Sequence, residues 1–268
     1  MAEQTAAFTE SVPENYDRYI GPMLFEPYAD DLSGRLTVRD GMRVLEVACG
    51  TGIVTRHLRS LLPPGSELVA TDLSEPMLAY ARRKFDGETA IDWQQADAMA
   101  LPFPAQSFDA LVCQFGLMFV PDKAGAVREA YRVLKPGGQL LLNTWCDLQQ
   151  NDFCNAAHTV ATTFFETDPP KFYEIPFSLH DEQQLQGWMQ EAGFNNVTVR
   201  PINLPSVSPS AADAAKGLVQ GSPLAGALKE RNADIEAITT AVAEALRAQF
   251  RDHPLRGRMC ALICEGIR

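Results

Sequence analysis

Short apolar runs alternate with helical patterns from residue 41 onward, and this alternation limits the possible folds more than any other feature. Apolar runs bounded by glycine, proline or acidic residues are typical of buried strands. We predict strands over Arg43–Cys49, Glu67–Asp72, Ile91–Ala96, Phe108–Gln114, Gln139–Trp145, Val197–Pro201 and Met259–Cys264. Strands that alternate with helices indicate an α/β protein, in which a mostly parallel, doubly wound sheet carries helices on both faces.

Helical segments with identifiable ends separate these strands. The first is predicted at Ile53–Leu62, where apolar residues recur at helical spacing up to a Pro-Pro-Gly stop. Ser74 is expected to cap the second helix with its side chain. Two further helices are predicted at Lys123–Val133 and Asp181–Glu191, and a glycine follows each of them closely.

Two stretches interrupt the alternation. Residues 146–180 are rich in aromatic residues and contain prolines, whereas residues 203–255 are rich in alanine and favour helix. We predict a single domain over residues 1–268, with a core of about 37–145, 181–201 and 258–268. The segments 1–30, 146–180 and 203–255 are predicted to form a lid and acceptor region.

The charge balance narrows the choice of partner. The formal net charge is −11 at pH 7, so the electrostatic field has the wrong sign for a polyanionic nucleic acid. A small molecule is therefore the expected partner, and nucleic acid is not expected. The sequence leaves the oligomeric state open.

The sequence also bears on compartment and metal binding. The N-terminal residues lack a basic segment followed by an apolar run, and no stretch of about 18 apolar residues occurs. We therefore predict a cytoplasmic protein without a membrane span. The six cysteines show no Cys-x-x-Cys spacing and are expected to be reduced and mostly buried, and no metal site is expected.

The most informative motif is VLEVACGTG, residues 44–52, in which a buried strand ends at two glycines just before a helix. Gly50 and Gly52 allow positive φ and close approach of the backbone to a ligand. A dinucleotide site would need a third glycine, but Thr55 occupies that position. Glu46 in the preceding strand suits a positively charged ligand group better than a phosphate.

At this motif the sequence resembles the class I S-adenosylmethionine-dependent methyltransferases, in particular the small-molecule group that includes the ubiquinone and menaquinone C-methyltransferases. The resemblance is close over residues 37–145. It implies a Rossmann-like, seven-stranded, mostly parallel sheet with an antiparallel last strand and helical lid insertions. The cofactor is then S-adenosylmethionine, with S-adenosylhomocysteine as product.

The resemblance also implies which residues bind the methionyl and ribose parts of the cofactor. The turn that contains Ala48, Gly50, Thr51 and Gly52 would hold the methionyl part, with Glu46 near its ammonium group. Asp72 follows the second strand, where the family places the acid that accepts hydrogen bonds from both ribose hydroxyls.

Residues after the second and third strands would recognise the adenine. Leu73 and Met77 are expected against the ring. Asp97 matches the acid that takes the adenine amino group, and the backbone amide of Ala98 would meet a ring nitrogen.

The end of the fourth strand and the N-terminal segment complete the expected site. Gln114, with Phe115 and Met118, would form the floor beneath the cofactor and face the acceptor. Tyr16 or Tyr19 is expected near the methyl donor, on a segment that related enzymes use as a lid.

The predicted reaction is methyl transfer to a small organic acceptor, with carbon, oxygen and nitrogen left open as the methylated atom. The catalytic residues are not identified, and His158, His180, His253 and Tyr19 are weak candidates. One alternative is an isomerase or cyclase that binds S-adenosylmethionine, and another is a non-catalytic subunit that keeps the fold. A nicotinamide-dependent oxidoreductase is disfavoured by Thr55, which stands where the third glycine of a dinucleotide site would be.

Overall fold

A computed structural model of the chain describes residues 12–85, 87 and 90–268. Its seven strands are β1 (Arg43–Val47), β2 (Glu67–Asp72), β3 (Ile91–Gln95), β4 (Phe108–Gln114), β5 (Leu134–Trp145), β6 (Asn195–Ser208) and β7 (Leu255–Ile267). They form one sheet in the order β3-β2-β1-β4-β5-β7-β6. Strands β1 to β5 pair in parallel, and β7 runs antiparallel to β5. The predicted α/β fold, Rossmann-like with an antiparallel last strand, is confirmed.

The α-helices follow the predicted pattern closely. They are α1 (Val12–Asn15), α2 (Glu26–Gly34), α3 (Ile53–Leu61), α4 (Glu75–Lys84), α5 (Lys123–Val133), α6 (Asp152–Thr162), α7 (Glu182–Ala192), α8 (Ala211–Gln220), α9 (Leu224–Glu230) and α10 (Ile235–Gln249). A π-helix, Tyr16–Phe25, joins α1 to α2, and short 3₁₀ turns lie at Leu117–Phe119, Leu148–Gln150 and Phe172–Glu174. None of the described helices combines the length and apolar composition that a bilayer crossing requires.

The chain divides into two compact units. One unit comprises residues up to Tyr28 together with Cys146–Ser178 and Asn203–Cys260, and the other comprises Ala29–Trp145, Leu179–Ile202 and Ala261–Arg268. In the first unit, helix α8 packs against the π-helix and against α10. The second unit contains β1 to β5 and the loops that follow β1 to β4.

Burial explains why β1 and β4 lie at the centre of the sheet. Every residue of β1 from Val44 onward is buried, and so is every residue of β4 before Gln114. Strands buried on both faces read as continuous apolar runs, as these two do. Since β1, β2 and β4 are parallel, their carboxyl ends meet at one edge of the sheet, where open α/β sheets bind ligands.

The opposite edge of the sheet is held by an ion cluster around Asp109. Its carboxylate accepts hydrogen bonds from the Arg39 guanidinium (2.6 Å), the Lys135 ammonium (2.8 Å) and the Arg43 backbone amide (2.8 Å). Burial opposes ionisation of Asp109, but these donors outweigh it and hold its pKa below the usual value. The cluster joins the starts of three central strands.

Strand β5 differs from the expected strand, which began at Gln139. Its ladder with β4 shifts register between Phe108, which pairs with Leu134, and Ala110, which pairs with Gln139. The Pro-Gly-Gly segment therefore forms a bulge inside the strand instead of a turn before it. Gly137 adopts a φ of 78°, which glycine tolerates without steric cost.

The cysteine prediction is wrong for one pair. Cys146 and Cys260 form a disulfide, because the residue after β5 lies beside β7 with a Cα–Cα distance of 5.3 Å. The four remaining cysteines, Cys49, Cys113, Cys154 and Cys264, are free and buried, as expected.

Candidate functional site

The loop after β1 is built on left-handed backbone. Ala48, Gly50 and Gly52 have φ values of 57°, 56° and 82°. A Cβ at Gly50 would meet no atom within 4 Å, whereas one at Gly52 would lie 2.7 Å from the Phe85 ring. Packing against Phe85 therefore requires glycine at position 52. The space beside Gly50 is open. Such space lets a ligand approach the main chain closely.

Asp72 ties this loop to the one after β2. Its carboxylate accepts hydrogen bonds from the backbone amides of Gly50 and Ser74, both at 2.8 Å. Burial raises the pKa of Asp72, and the amide donors oppose that rise. A carboxylate has about four lone-pair sites, so two amide bonds leave capacity for further donors such as hydroxyls.

Ser74 stands at the predicted cap position of α4, but the prediction that its side chain caps the helix is wrong. Its hydroxyl is buried without a hydrogen-bond partner among the described residues, and it makes no side-chain cap bond to α4. The short Asp72 to Ser74 turn directs the Ser74 amide to the carboxylate instead. Asp72 thus organises the start of the helix.

Glu46 is buried at the carboxyl end of β1 with only 2% of its surface exposed, and its Oε2 atom has no hydrogen-bond partner among the described residues. Burial raises its pKa to about 8, the nearby Thr55 opposes the rise, and Asp72 adds to it. The hydroxyls of Thr51 and Thr55 are also buried and unpartnered within the described chain. Buried polar atoms without partners call for a ligand or water, and these oxygens fit the donors of an ammonium group.

Hydrogen bonds within the segment after β3 fix its conformation. One carboxylate oxygen of Asp97 accepts the amide of Met99 at 2.9 Å, and Asp97 forms a bridge with Ala100. Leu73, at the end of the neighbouring strand, keeps 41% of its surface exposed. Met77 is 4% exposed and packs into the core. Of the two residues expected against the adenine, Leu73 is the accessible one.

An apolar cleft lies within the same unit, beside Ala98. Its walls come from the ends of the central strands, the loop after β4 and helix α5, and include Val47, Ala48, Leu117 and Val120. Lined in this way, the cleft suits an apolar surface better than a charged group.

Gln114 is the last residue of β4, and the turn that follows it packs against the loop that contains Ala48, Gly50 and Gly52. Phe115 adopts a left-handed φ of 50° and stacks on Trp145 with ring centroids 3.8 Å apart. At Gly116 a Cβ would lie only 2.5 Å from the Cβ of Ala48. The two loops can approach this closely only because residue 116 lacks a side chain.

Asn143 on β5 fixes this turn and was not singled out from the sequence. Its Oδ1 accepts the Phe115 amide at 2.9 Å, and its Nδ2 lies 3.5 Å from Oε1 of Gln114. The side chain is fully buried. An amide side chain within the apolar run LLLNTW was the available signal, because buried polar residues are retained where they hydrogen-bond.

The remaining candidates fall into two groups. Tyr16, Tyr19 and His158 lie in the unit that contains the π-helix: Tyr16 stacks on Phe25, Tyr19 lies near Lys216, and His158 is half-buried beside Tyr173. His253 is exposed next to an aspartate, and His180 is exposed in the other unit. The methionyl, ribose and adenine candidates all lie in the unit that contains β1 to β5.

Comparison with known proteins identifies the family of the chain. Residues 45–142 match the family described as a methyltransferase domain. The ubiquinone/menaquinone biosynthesis C-methyltransferase UbiE of Ectopseudomonas mendocina (strain ymp) is 33% identical over 216 residues, which cover 74% of this chain and 83% of that protein.

Solved structures share the fold. The YcgJ protein from Bacillus subtilis superposes with a TM-score of 0.61 and 21% identity, over 90% of this chain and 98% of that one. The [4+2]-cyclase SpnF gives a TM-score of 0.58 and 19% identity, over 90% and 80%. The chain therefore belongs to the class I S-adenosylmethionine-dependent methyltransferases, resembles the ubiquinone/menaquinone C-methyltransferases among them, and is an enzyme whose cofactor is S-adenosylmethionine.

Proposed function

We propose that this enzyme methylates a carbon atom of a small, hydroxylated ring compound in the cytoplasm. The observation that carries the proposal is the likeness to C-methyltransferases at 33% identity over 74% of the chain. The net charge of −11 supports a small acceptor over a nucleic acid. A hydroxyl on the ring makes neighbouring carbons nucleophilic once it loses its proton.

The proposed cofactor contacts follow from the geometry of the three loops. Asp72 would accept hydrogen bonds from ribose hydroxyls while it still holds the Gly50 and Ser74 amides. Glu46 and the open space above Gly50 would take the methionyl end, and Asp97 and Ala98 would read the adenine edge. Bound in this way, the cofactor supplies a methyl group on a sulfonium centre.

The protein's contribution to catalysis is then alignment and water exclusion. The turn at Phe115 and the loop at Ala48 pack closely against each other at the sheet edge where the methyl group would be presented. Holding reactants in a near-attack geometry replaces much of the entropy cost of their encounter. The acceptor hydroxyl also needs a base to take its proton.

The test is product analysis with a panel of phenols and quinols and with cofactor labelled with ¹³C at the methyl group. We expect an acceptor to gain one methyl group, with a carbon chemical shift typical of a methyl bound to carbon. A shift typical of a methoxy or N-methyl group would refute carbon methylation. A product that is rearranged without gain of mass, while S-adenosylhomocysteine still binds, would favour a cyclase, the activity that names the structural relative SpnF.

A further inference from the structure

Glu46 is a buried acid beside the loop that follows β1. It is 2% exposed, it lies on the central strand β1, and its Oε2 atom meets no donor in the part of the chain that the structure describes. A carboxylate that is both buried and incompletely hydrogen-bonded is strongly destabilised relative to its neutral acid. The geometry therefore favours the protonated form when no cation is present.

The groups that face Glu46 reinforce this preference. Asp72 on β2 is a second acid, and Cys49 in the loop and Cys113 on β4 are neutral thiols whose pKa values are raised, chiefly by burial. Helix α3 faces Glu46 with Thr55, which carries no charge and opposes part of the rise in the Glu46 pKa. Arg82 acts to lower the pKa of Cys49, but it is not one of the groups that shift the pKa of Glu46. Among the residues that the structure describes, the groups that shift the pKa of Glu46 thus include a like charge and no counterion.

We propose that Glu46 holds a proton before the cofactor binds and releases it to solvent as the methionyl ammonium group arrives, so that one proton leaves for each cofactor bound. This inference rests on the proposed cofactor contacts. The proton balance is closed, because the O–H bond of the acid breaks, the proton passes to water or buffer, and the carboxylate is left paired with the ammonium. An opposite charge at contact distance is what a buried carboxylate requires to stay ionised.

The exchange has a consequence for affinity. The cofactor must displace a proton, so binding should strengthen about tenfold for each unit of rising pH while Glu46 is protonated when free. The gain should level off near pH 8, because the free acid is already ionised above its pKa of about 8. The sign is opposite to that expected if a protonated histidine had to bind an anionic ligand.

The test is calorimetric titration with S-adenosylhomocysteine at pH 7 in phosphate and in Tris, which differ in ionisation enthalpy. The difference in observed heat gives the number of protons released, which should be close to one. Glu46→Gln keeps the shape but has no proton to release, so its value should fall close to zero. Glu67→Gln, at an exposed site on β2, is the matched control and should behave like the wild type.

Three results would overturn the proposal. Wild-type protein that binds without a buffer-dependent heat would refute the exchange while leaving the cofactor site intact. The same would follow if Glu46→Gln released as many protons as the wild type. An absence of any binding heat in the wild type would refute the cofactor site itself. If Glu46→Gln fails to fold, the wild-type affinity between pH 6 and pH 8 decides, because a flat profile contradicts the exchange.

Discussion

Replacing Gly116 with alanine should destabilise the enzyme through a collision between two loops. The new Cβ would lie 2.5 Å from the Cβ of Ala48 and 2.9 Å from the Sγ of Cys113. Non-bonded carbon atoms prefer separations of about 3.5 to 4.0 Å, so the contact with Ala48 is short by about 1 Å. The Ala48 Cβ cannot rotate away, because it is fixed to the backbone.

The magnitude follows from two opposing effects. Overpacking of this kind costs about 1 to 3 kcal/mol, and the upper end applies because backbone must move. Gly116 has a φ of −97°, which alanine also adopts, so the smaller entropy of the unfolded chain returns about 0.4 to 1 kcal/mol. We expect a net loss of about 2 kcal/mol in the free energy of unfolding. For a chain of this size that corresponds to roughly 4 to 8 °C in melting temperature.

Urea titration followed by tryptophan fluorescence measures this effect, since Trp145 stacks on the neighbouring Phe115. Gly34→Ala is the control, because a Cβ there meets no atom within 4 Å and the backbone has no positive φ. We expect the control to be neutral or slightly stabilising. A Gly116→Ala loss below about 0.5 kcal/mol, or one equal to the control, would show that the two loops are not packed as described.

Three further substitutions test the ribose contact, the ion cluster and the turn after β4. Asp72→Ala should weaken S-adenosylhomocysteine binding by about 1.5 to 3 kcal/mol through loss of a charged acceptor, and a calorimetric change below about 0.5 kcal/mol would contradict the ribose role. Asp109→Asn should cost about 1 to 2 kcal/mol of stability at pH 7, because its partners are partly exposed. The pKa of Asp109 is lowered, so its contribution is complete above about pH 4 and disappears as the pH falls through the folded-state value; urea titrations that show no such difference from the variant in acid would refute this. Asn143→Leu should weaken cofactor binding more than Asn143→Asp, which keeps the acceptor for the Phe115 amide, and equal affinities in calorimetry would speak against a positioning role.

Local chemistry made much of the fold and the glycine loop predictable. Strands β2 and β4 and helix α5 begin and end at the predicted residues, because the strands are continuous apolar runs and the helix has apolar residues at helical spacing. The positive φ values at Gly50 and Gly52 also follow from residue type. These features depend on neighbours that are close in the sequence.

Features set by distant neighbours were not predictable. The bond from Phe115 to Asn143 joins residues 28 positions apart, and the disulfide joins cysteines 114 positions apart. Ser74 satisfies every local rule for a cap, yet its hydroxyl has no partner in the described part of the chain, and its amide donates to Asp72. In each case tertiary contacts determine what the side chain does.

The two ends of the central strands therefore serve different purposes: one stabilises the fold, and the other is suited to bind a ligand. The end near Asp109 is crowded with satisfied charges, whereas the end near Glu46 leaves oxygens unsatisfied. Substitutions around Asp109 should accordingly change heat tolerance with little effect on ligand affinity. Replacing the unsatisfied oxygens would bring a stability gain at the expense of turnover, the usual compromise between robustness and activity in enzymes.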